Sequence, residues 1–301
     1  MDVAITGANG FVGRHVTRHL ARAGVKVEGL VRSASAARLV EEAGGRPTEV
    51  DLGDVAALTR AMSGKRMLVH LAQIGSERGD SAYESVNVQG AARAAAAARE
   101  AGVPRIVFLS GLGVARYGQS KRVTNRYFLS KLAAEVELYR SGPGITVFRP
   151  SYIVGSGEAF LPALIDDMAS GRVEVPGDGA YRMQPIAVSD VCALVHVALD
   201  RGGLPGTPQV FDLVGPEALS FVDFLDRLGK VARGASRATS WKVEHVPVDV
   251  ADAQARAGGY RGMLPDELDC MLCDEVADAA PLERFLGRPL TPLDDALRLA
   301  L

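Results

Sequence analysis

Two short stretches of the 301-residue chain carry residue types whose spacing suits chemistry. The first is Thr6-Gly7-Ala8-Asn9-Gly10-Phe11-Val12-Gly13, a glycine-rich turn between an apolar strand and a helical pattern. In such a turn Gly7 permits a tight reversal, Gly10 clears the path of a pyrophosphate, and Gly13 lets the following helix sit close to the sheet. The helix start adds free N–H groups and a partial positive charge. Together Thr6, Gly7, Asn9, Gly10, Phe11, Val12 and Gly13 make a dinucleotide-binding turn, specific because of its strand-before, helix-after context. The second stretch is Asn125-Arg126-Tyr127-Phe128-Leu129-Ser130-Lys131, where Tyr127 and Lys131 are four apart and share a helical face. A phenol with a pKa near 10 needs about three units of depression, roughly 4 kcal/mol, to exchange protons at neutral pH. A neighbouring ammonium and an oxidised nicotinamide ring both favour the phenolate. Tyr127 would then pass a proton to or from a substrate oxygen while hydride moves. A Tyr and a Lys at this spacing are common in purely structural helices, so this reading depends on its company.

The elements that must position these residues alternate. Met1 to Thr6 reads as a strand, and Val12, Val16, Leu20 and Ala23 mark a helix face ended by Gly24. Val25 to Val31 reads as a second strand, with Ser33 or Ser35 capping the next helix. Further strands are expected at Thr48–Val50, Met67–Leu71, Ile106–Leu109 and Thr146–Phe148, and an alanine-rich helix at Ala91–Ala101. The fold class is therefore α/β, a Rossmann-type doubly wound parallel sheet over residues 1–150. Over 151–301 glycine and proline cluster at Val175–Gly179 and Gly202–Pro208, and helical patterns fall at Ser189–Asp200, Ser220–Val231 and Pro265–Ala279. This half reads as a smaller, mainly helical C-terminal substrate lobe that partly returns to the first domain.

Bulk composition narrows the function classes. With 34 basic against 36 acidic side chains, no broad charge draws the chain to nucleic acid. No run of about 18 apolar residues predicts an integral membrane protein. Three cysteines make no disulfide framework, and no signal peptide is visible, so a cytoplasmic setting is expected. Cys270 and Cys273 form a single CxxC, read as packing, and the five histidines show no metal spacing. No metal is expected.

The end of the second strand indicates the cofactor. NAD-binding Rossmann folds place an acidic residue there for the ribose hydroxyls. Here the stretch is Gly29-Leu30-Val31-Arg32-Ser33, with Arg32 available for a 2′-phosphate and Ser33 for a further hydrogen bond. NADP(H) is favoured over NAD(H).

The ordered set of TGxxGFxG turn, YxxxK pair and Arg149-Pro150-Ser151-Tyr152-Ile153-Val154-Gly155 resembles the short-chain dehydrogenase/reductase superfamily, in its extended and atypical forms. That resemblance implies further roles. Asp51 and Leu52 would meet the adenine, Ala72 the adenosine ribose, Lys131 the nicotinamide ribose, and Pro150 the nicotinamide face. Asn87 in an NxxG helix would hold a water or backbone group, and Asp190 would orient a helix start. The family also implies a catalytic Ser or Thr after the fifth strand. In Phe108-Leu109-Ser110-Gly111-Leu112 that position falls on Gly111, so Ser110 or Thr124 is the available substitute. The tail, Leu264–Leu268 through Leu286–Leu290, is similar to the subgroup of the NADPH-binding accessory subunit of mitochondrial complex I and of bacterial proteins described as nucleoside-diphosphate-sugar epimerases.

Three readings follow. The first is an NADP(H)-dependent oxidoreductase or epimerase-type enzyme using Tyr127, Lys131, Asn87 and Ser110 on a small-molecule substrate. The second is a non-catalytic NADPH-binding protein with a respiratory-complex or other protein partner. The third, a nucleoside-diphosphate-sugar enzyme, needs a free basic group in the second lobe, for which Arg172, Arg182 and Arg261 are the candidates.

Overall fold

The computed structural model describes residues 2–234 and 240–301, so Met1 of the expected first strand lies outside the described residues. The first half alternates β1 (Asp2–Thr6), α1 (Phe11–Arg22), β2 (Lys26–Val31), α2 (Ala34–Glu42), β3 (Arg46–Glu49), α3 (Val55–Met62), β4 (Met67–His70), α4 (Gln89–Glu100), β5 (Arg105–Leu109), α5 (Arg126–Tyr139) and β6 (Gly144–Pro150). A π-helical turn, Glu84–Val88, leads into α4, and a 3₁₀ turn, Leu112–Arg116, follows β5. The second half contains β7 (Ile153–Val154), α6 (Phe160–Ala169), β8 (Arg172–Pro176), β9 (Arg182–Met183), β10 (Ile186–Ala187), α7 (Val188–Arg201), β11 (Gln209–Leu213), β12 (Leu219–Ser220), α8 (Phe221–Gly234), β13 (Lys242–Val246), α9 (Val248–Arg256), α10 (Pro265–Leu272), α11 (Ala280–Leu286) and α12 (Leu293–Ala300).

Seven strands form one parallel sheet in the order β11-β6-β5-β4-β1-β2-β3. The central strands are buried on both faces, which is why they read as short apolar runs, whereas the edge strands β3 and β11 are partly exposed. Val3 and Ile5 of β1 face the core beneath α1 and α7, while Ala4 faces the core beneath α3, α4 and α5. Ala91, Ala94, Ala95, Ala97 and Ala98 of α4 are buried, and their small side chains let that helix lie between α3 and α5. Between the parallel strands β1 and β4 the order in which strands are added reverses, the point at which open α/β sheets leave a crevice beyond their strand ends. The glycine turn lies at that point.

The second half packs a separate apolar core, in which Leu161, Leu164 and Met168 of α6 meet Phe224, Leu225 and Leu228 of α8 and Leu293 and Leu297 of α12. Its strands are short, apart from the parallel pair β8 and β13. β11 returns to the edge of the main sheet beside β6.

One expectation fails here. The helical pattern Pro265–Ala279 stops at Leu272, and Cys273 turns extended (ψ 149°). The cause is tertiary. Glu275 N donates to Arg182 O at 2.7 Å, and the Arg116 guanidinium donates to the carbonyls of Asp274 and Val276. Those bonds hold the segment against β9 as an isolated bridge from Met183 to Glu275.

α5 is fixed to the sheet by a buried ion pair. Arg149 of β6 donates Nε and Nη2 to the two oxygens of Glu135, at 3.0 and 2.7 Å, and Glu135 is fully buried. Removing the guanidinium would strand a buried carboxylate, which costs about 3–5 kcal/mol. Arg149→Leu should lower the free energy of unfolding by about that amount, read as a fall in the urea midpoint at neutral pH.

Candidate functional site

The turn after β1 is shaped by contacts that exclude side chains. Gly7 has φ +67°, and a Cβ there would stand 2.8 Å from the Ala72 nitrogen. A Cβ on Gly13 would stand 2.2 Å from the Gly7 carbonyl oxygen. Gly10, by contrast, meets nothing closer than 3.3 Å and faces open space. α1 begins with no side-chain cap and no acidic residue in its first turn. Its leading N–H groups and its dipole are therefore uncompensated, which fits a pyrophosphate. Thr6 is nearly fully buried; its hydroxyl bonds His70 Nδ1 at 2.8 Å and accepts from Leu71 N at 3.2 Å. Thr6 thus ties β1 to β4 and holds the turn from behind.

A cavity of about 630 Å³ runs along these strand ends. Thr6, Gly7, Asn9, Gly10, Arg32, Ser33, Asp51, Leu52 and Ala72 all line it. Gly13 lies behind the turn. The Arg32 guanidinium makes no ion pair among the described residues. The Ser33 hydroxyl caps α2 by accepting from Ala36 N at 3.3 Å and also meets Ser35. Asp51 closes a local turn by accepting from Gly53 N at 2.6 Å, and Asp54 is the cap of α3. Glu28 points away, to Arg46, Thr48 and Lys65 at the opposite end of the sheet. Size, the unfilled helix start and the bare glycine turn all fit a nicotinamide dinucleotide.

A second cavity, of about 540 Å³, continues from the first past Gln73, which lines both. Phe11, Val12, Ser110, Tyr127 and Pro150 line this one, so the sequence-derived residues divide between two adjoining spaces. Lys131 and Asn87 lie beneath the walls, buried. Lys131 Nζ donates to Leu109 O at 2.6 Å and to Gln73 Oε1, and it sits 4.4 Å from the centre of the Phe108 ring. Burial pushes its pKa down to about 7, with Glu135 one helical turn along opposing the shift. Asn87 accepts from Ile74 N at 2.9 Å, donates to Ile74 O at 3.1 Å and reaches Ser130 Oγ at 3.0 Å. It pins the backbone beside Gln73 to α5.

The Tyr127 phenol is pushed up, contrary to the depression expected from a neighbouring ammonium. Burial is the main cause, followed by Cys270 and Glu275, and only the Gln73 side chain pulls it down. Lys131 shares the helix face but turns its ammonium to Leu109 and Gln73. Gln73, next to the residue read for the ribose, is therefore a site residue that spacing alone did not reveal.

Gly111 leaves its expected hydroxyl position to a ring. A Cβ there would stand 3.1 Å from Phe128 Cε1, and one on Gly113 would stand 2.4 Å from Phe128 Cζ. Ser110 is buried in the cavity wall, and its hydroxyl has no hydrogen-bond partner among the described residues. Thr124 donates to Ser120 O at 2.7 Å and does not line the cavity. The rest of the wall is largely aromatic and sulfur-bearing, with Phe160, Tyr181, Phe221, Met183, Met263 and Met271.

None of the three arginines considered for a diphosphate is free. Arg172 pairs with Glu174 and Glu244, Arg182 with Asp274, and Arg261 with Asp167. Asp190 is buried and accepts from Arg288 and from Thr291 N, a structural tie between α7 and the tail. Cys270 and Cys273 line the second cavity, and among the described residues no group of three or more metal-binding side chains assembles. Among them, too, no helix is long and apolar enough to cross a membrane.

The buried lysine gives a pH dependence whose sign is fixed. Its folded pKa, about 7, lies below the ordinary value of 10.5, so the unfolded chain binds more protons between those values. Stability contributed at this site rises with pH through that window, and the cost of the buried charge is complete below it. The difference in unfolding free energy, wild type minus Lys131→Met, should therefore climb by a few kcal/mol between about pH 7 and pH 10. Paired denaturation curves across that range read it.

Comparison with known proteins agrees with this geometry. Residues 3–213 match the model of the NAD dependent epimerase/dehydratase family. The chain is 31% identical, over 99% of its length and 90% of the relative's, to the 4-hydroxy-2-methyl-3-oxo-4-farnesyl-3,4-dihydroquinoline-1-oxide ketoreductase of Stigmatella aurantiaca. It is 27% identical to the mitochondrial NADH dehydrogenase [ubiquinone] 1 alpha subcomplex subunit 9 of Arabidopsis thaliana, over 72% of this chain and 54% of that one. The UDP-glucuronic acid 4-epimerase of Bacillus cereus, solved with UDP-glucuronic acid and NAD, shares the fold with a TM-score of 0.75 at 18% identity, covering 99% of this chain and 97% of that one. With its Rossmann sheet, bare glycine turn and family match over residues 3–213, the chain belongs to the NAD dependent epimerase/dehydratase family.

Proposed function

We propose that this protein is an NADP(H)-dependent reductase of uncharged, lipophilic carbonyl compounds, with Tyr127 as its acid/base group. The observation that carries this reading is the second cavity, an apolar space that meets the dinucleotide cleft at Gln73 and holds Tyr127 in its wall. Its aromatic and methionine lining favours burial of hydrocarbon. Its lining argues against a nucleotide sugar, because it offers carboxyl groups and the arginine in its wall, Arg182, is paired with Asp274. The farnesyl-bearing substrate named for the Stigmatella relative is of the same lipophilic kind.

When bound, the reduced nicotinamide supplies the hydride equivalent to the carbonyl carbon. Tyr127 supplies the proton to the oxygen, which stays on that carbon as the hydroxyl of the product alcohol. Ser110 stands in for the hydroxyl missing at Gly111 by donating a second hydrogen bond to that oxygen. Lys131, held at Leu109 O and Gln73, provides positive charge or a neutral donor beside the ribose, and Asn87 fixes the Gln73 backbone. Arg32 and Ser33 hold the 2′-phosphate at the cleft's far end.

A second reading, a non-catalytic NADPH-binding protein in a larger assembly, is favoured by Gly111 and by the similarity to a respiratory-complex subunit. Kinetics separate the two. NADPH oxidation with medium-chain methyl ketones should be measurable, and Tyr127→Phe should lower kcat by at least about a hundredfold. Failure of every ketone, or a Tyr127→Phe variant of undiminished rate, would favour the second reading. Arg32→Ala should raise the KM for NADPH by about ten- to a hundredfold while barely moving that for NADH, as expected for loss of one charge-assisted hydrogen bond. Equal changes for both cofactors would remove Arg32 from the phosphate site.

A further inference from the structure

Three glutamates line the largely apolar second cavity: Glu158 is taken up by Phe160 N and Leu161 N, and Glu267 by Leu264 N and Arg78, while none of the steps above uses Glu275. Its main chain is held from several sides. Glu275 N donates to Arg182 O at 2.7 Å, Arg182 N donates to Asp274 Oδ1 at 2.8 Å, and Ala277 N donates to Gln184 Oε1 at 2.9 Å. Gln184 is itself fixed by donating Nε2 to Gly215 O at 2.7 Å, and Arg116 grips the carbonyls on either side of Glu275. Such a clamp is what a binding group needs, since its position then costs little to order when a ligand arrives. The groups that face its carboxyl are Tyr127 from α5, Cys270 from α10, Cys273 just after α10, Ser151 after β6 and Arg116 from the 3₁₀ turn. Arg116 is directed at main-chain carbonyls, and Arg182 is paired with Asp274, so no side-chain ion pair neutralises Glu275 among the described residues.

We propose that Glu275 is the specificity-determining residue of the substrate cavity, hydrogen-bonding a second oxygen of an uncharged carbonyl substrate and turning away substrates that carry an anionic group near the carbonyl. The inference rests on the reductase reading for which substrate enters, and on the clamp and the cavity for where the carboxyl stands. Burial pushes the Glu275 pKa up to about 8, against smaller opposing effects of Ser151 and Arg116. At neutral pH the group is therefore mostly a neutral acid, able both to donate and to accept. Above that pH it ionises and repels anions. A largely apolar pocket with a few placed polar groups discriminates strongly, because a ligand lacking the matching oxygen leaves such a group unpaired.

The test compares three probes of matched chain length: methyl heptyl ketone, the corresponding β-diketone, and a γ-keto fatty acid. Binding to the protein with and without NADP+ is read by calorimetry, so the result does not depend on turnover. The wild type should prefer the β-diketone over the simple ketone. Glu275→Leu should cut that preference about tenfold, and Glu275→Gln, which keeps the shape and a hydrogen bond, should retain it. Affinity of the wild type for the keto acid should fall as pH rises from about 7 to 9, while that of Glu275→Gln stays level. An unchanged preference in Glu275→Leu, or parallel pH profiles for wild type and Glu275→Gln, overturns the proposal. Loss of catalysis in every probe with these affinity patterns intact would instead count against the reductase reading alone.

Discussion

The site depends on keeping one ammonium group out of water. Lys131 lies beneath the junction of the two cavities, with its Nζ on the last carbonyl of β5, on the Gln73 side chain and over the Phe108 ring. A charge so placed is costly unless its donors are satisfied. The structure meets that cost from several elements. β5 supplies the carbonyl, and the loop after β4 supplies Gln73. Asn87 fixes that loop to α5, and Glu135, one turn beyond Lys131, is joined to Arg149 of β6. The same contacts that tolerate the lysine also orient the tyrosine wall and the ceiling of the cofactor cleft.

Charge elsewhere follows a similar division of labour. Glu28, inside β2, is taken up by Arg46, Lys65 and Thr48 at the opposite end of the sheet, which leaves Arg32 as the charged group at the cleft end of that strand. In the second lobe the arginines that would suit a diphosphate are engaged by carboxylates, and the cavity presents rings and thioethers. The fold is shared with a nucleotide-sugar epimerase, and what this cavity suits is set by its own side chains.

The replacement of a hydroxyl by Gly111 has a packing counterpart. Phe128, the residue after the tyrosine, lays its ring against Gly111 and Gly113 and leaves Cβ contacts of only 3.1 and 2.4 Å there. The orphaned hydroxyl of Ser110 lies in the same wall. The ring and the two glycines form one packed unit.

Much of this was legible in the linear chain. The glycine turn, the alternating strands of the first half, the absence of an acid at the end of β2 and the Tyr127–Lys131 spacing are local features, and each is dictated by backbone sterics or helical period within a few residues. The Asn125 cap of α5, whose side chain accepts from Phe128 N, is equally local. Tertiary contacts decided the rest. Tyr127 and Lys131 share a helix face, yet the ammonium turns to Leu109 and Gln73, groups 22 and 58 residues away in sequence. The helical pattern of Pro265–Ala279 yields at Cys273 because Arg116 and Arg182, remote in the chain, bind its backbone, and only that break brings Glu275 into the cavity. Local sequence sets which conformations are cheap; which polar group finds which partner in a dry interior is set by the packing of distant segments, and no spacing rule along the chain records it.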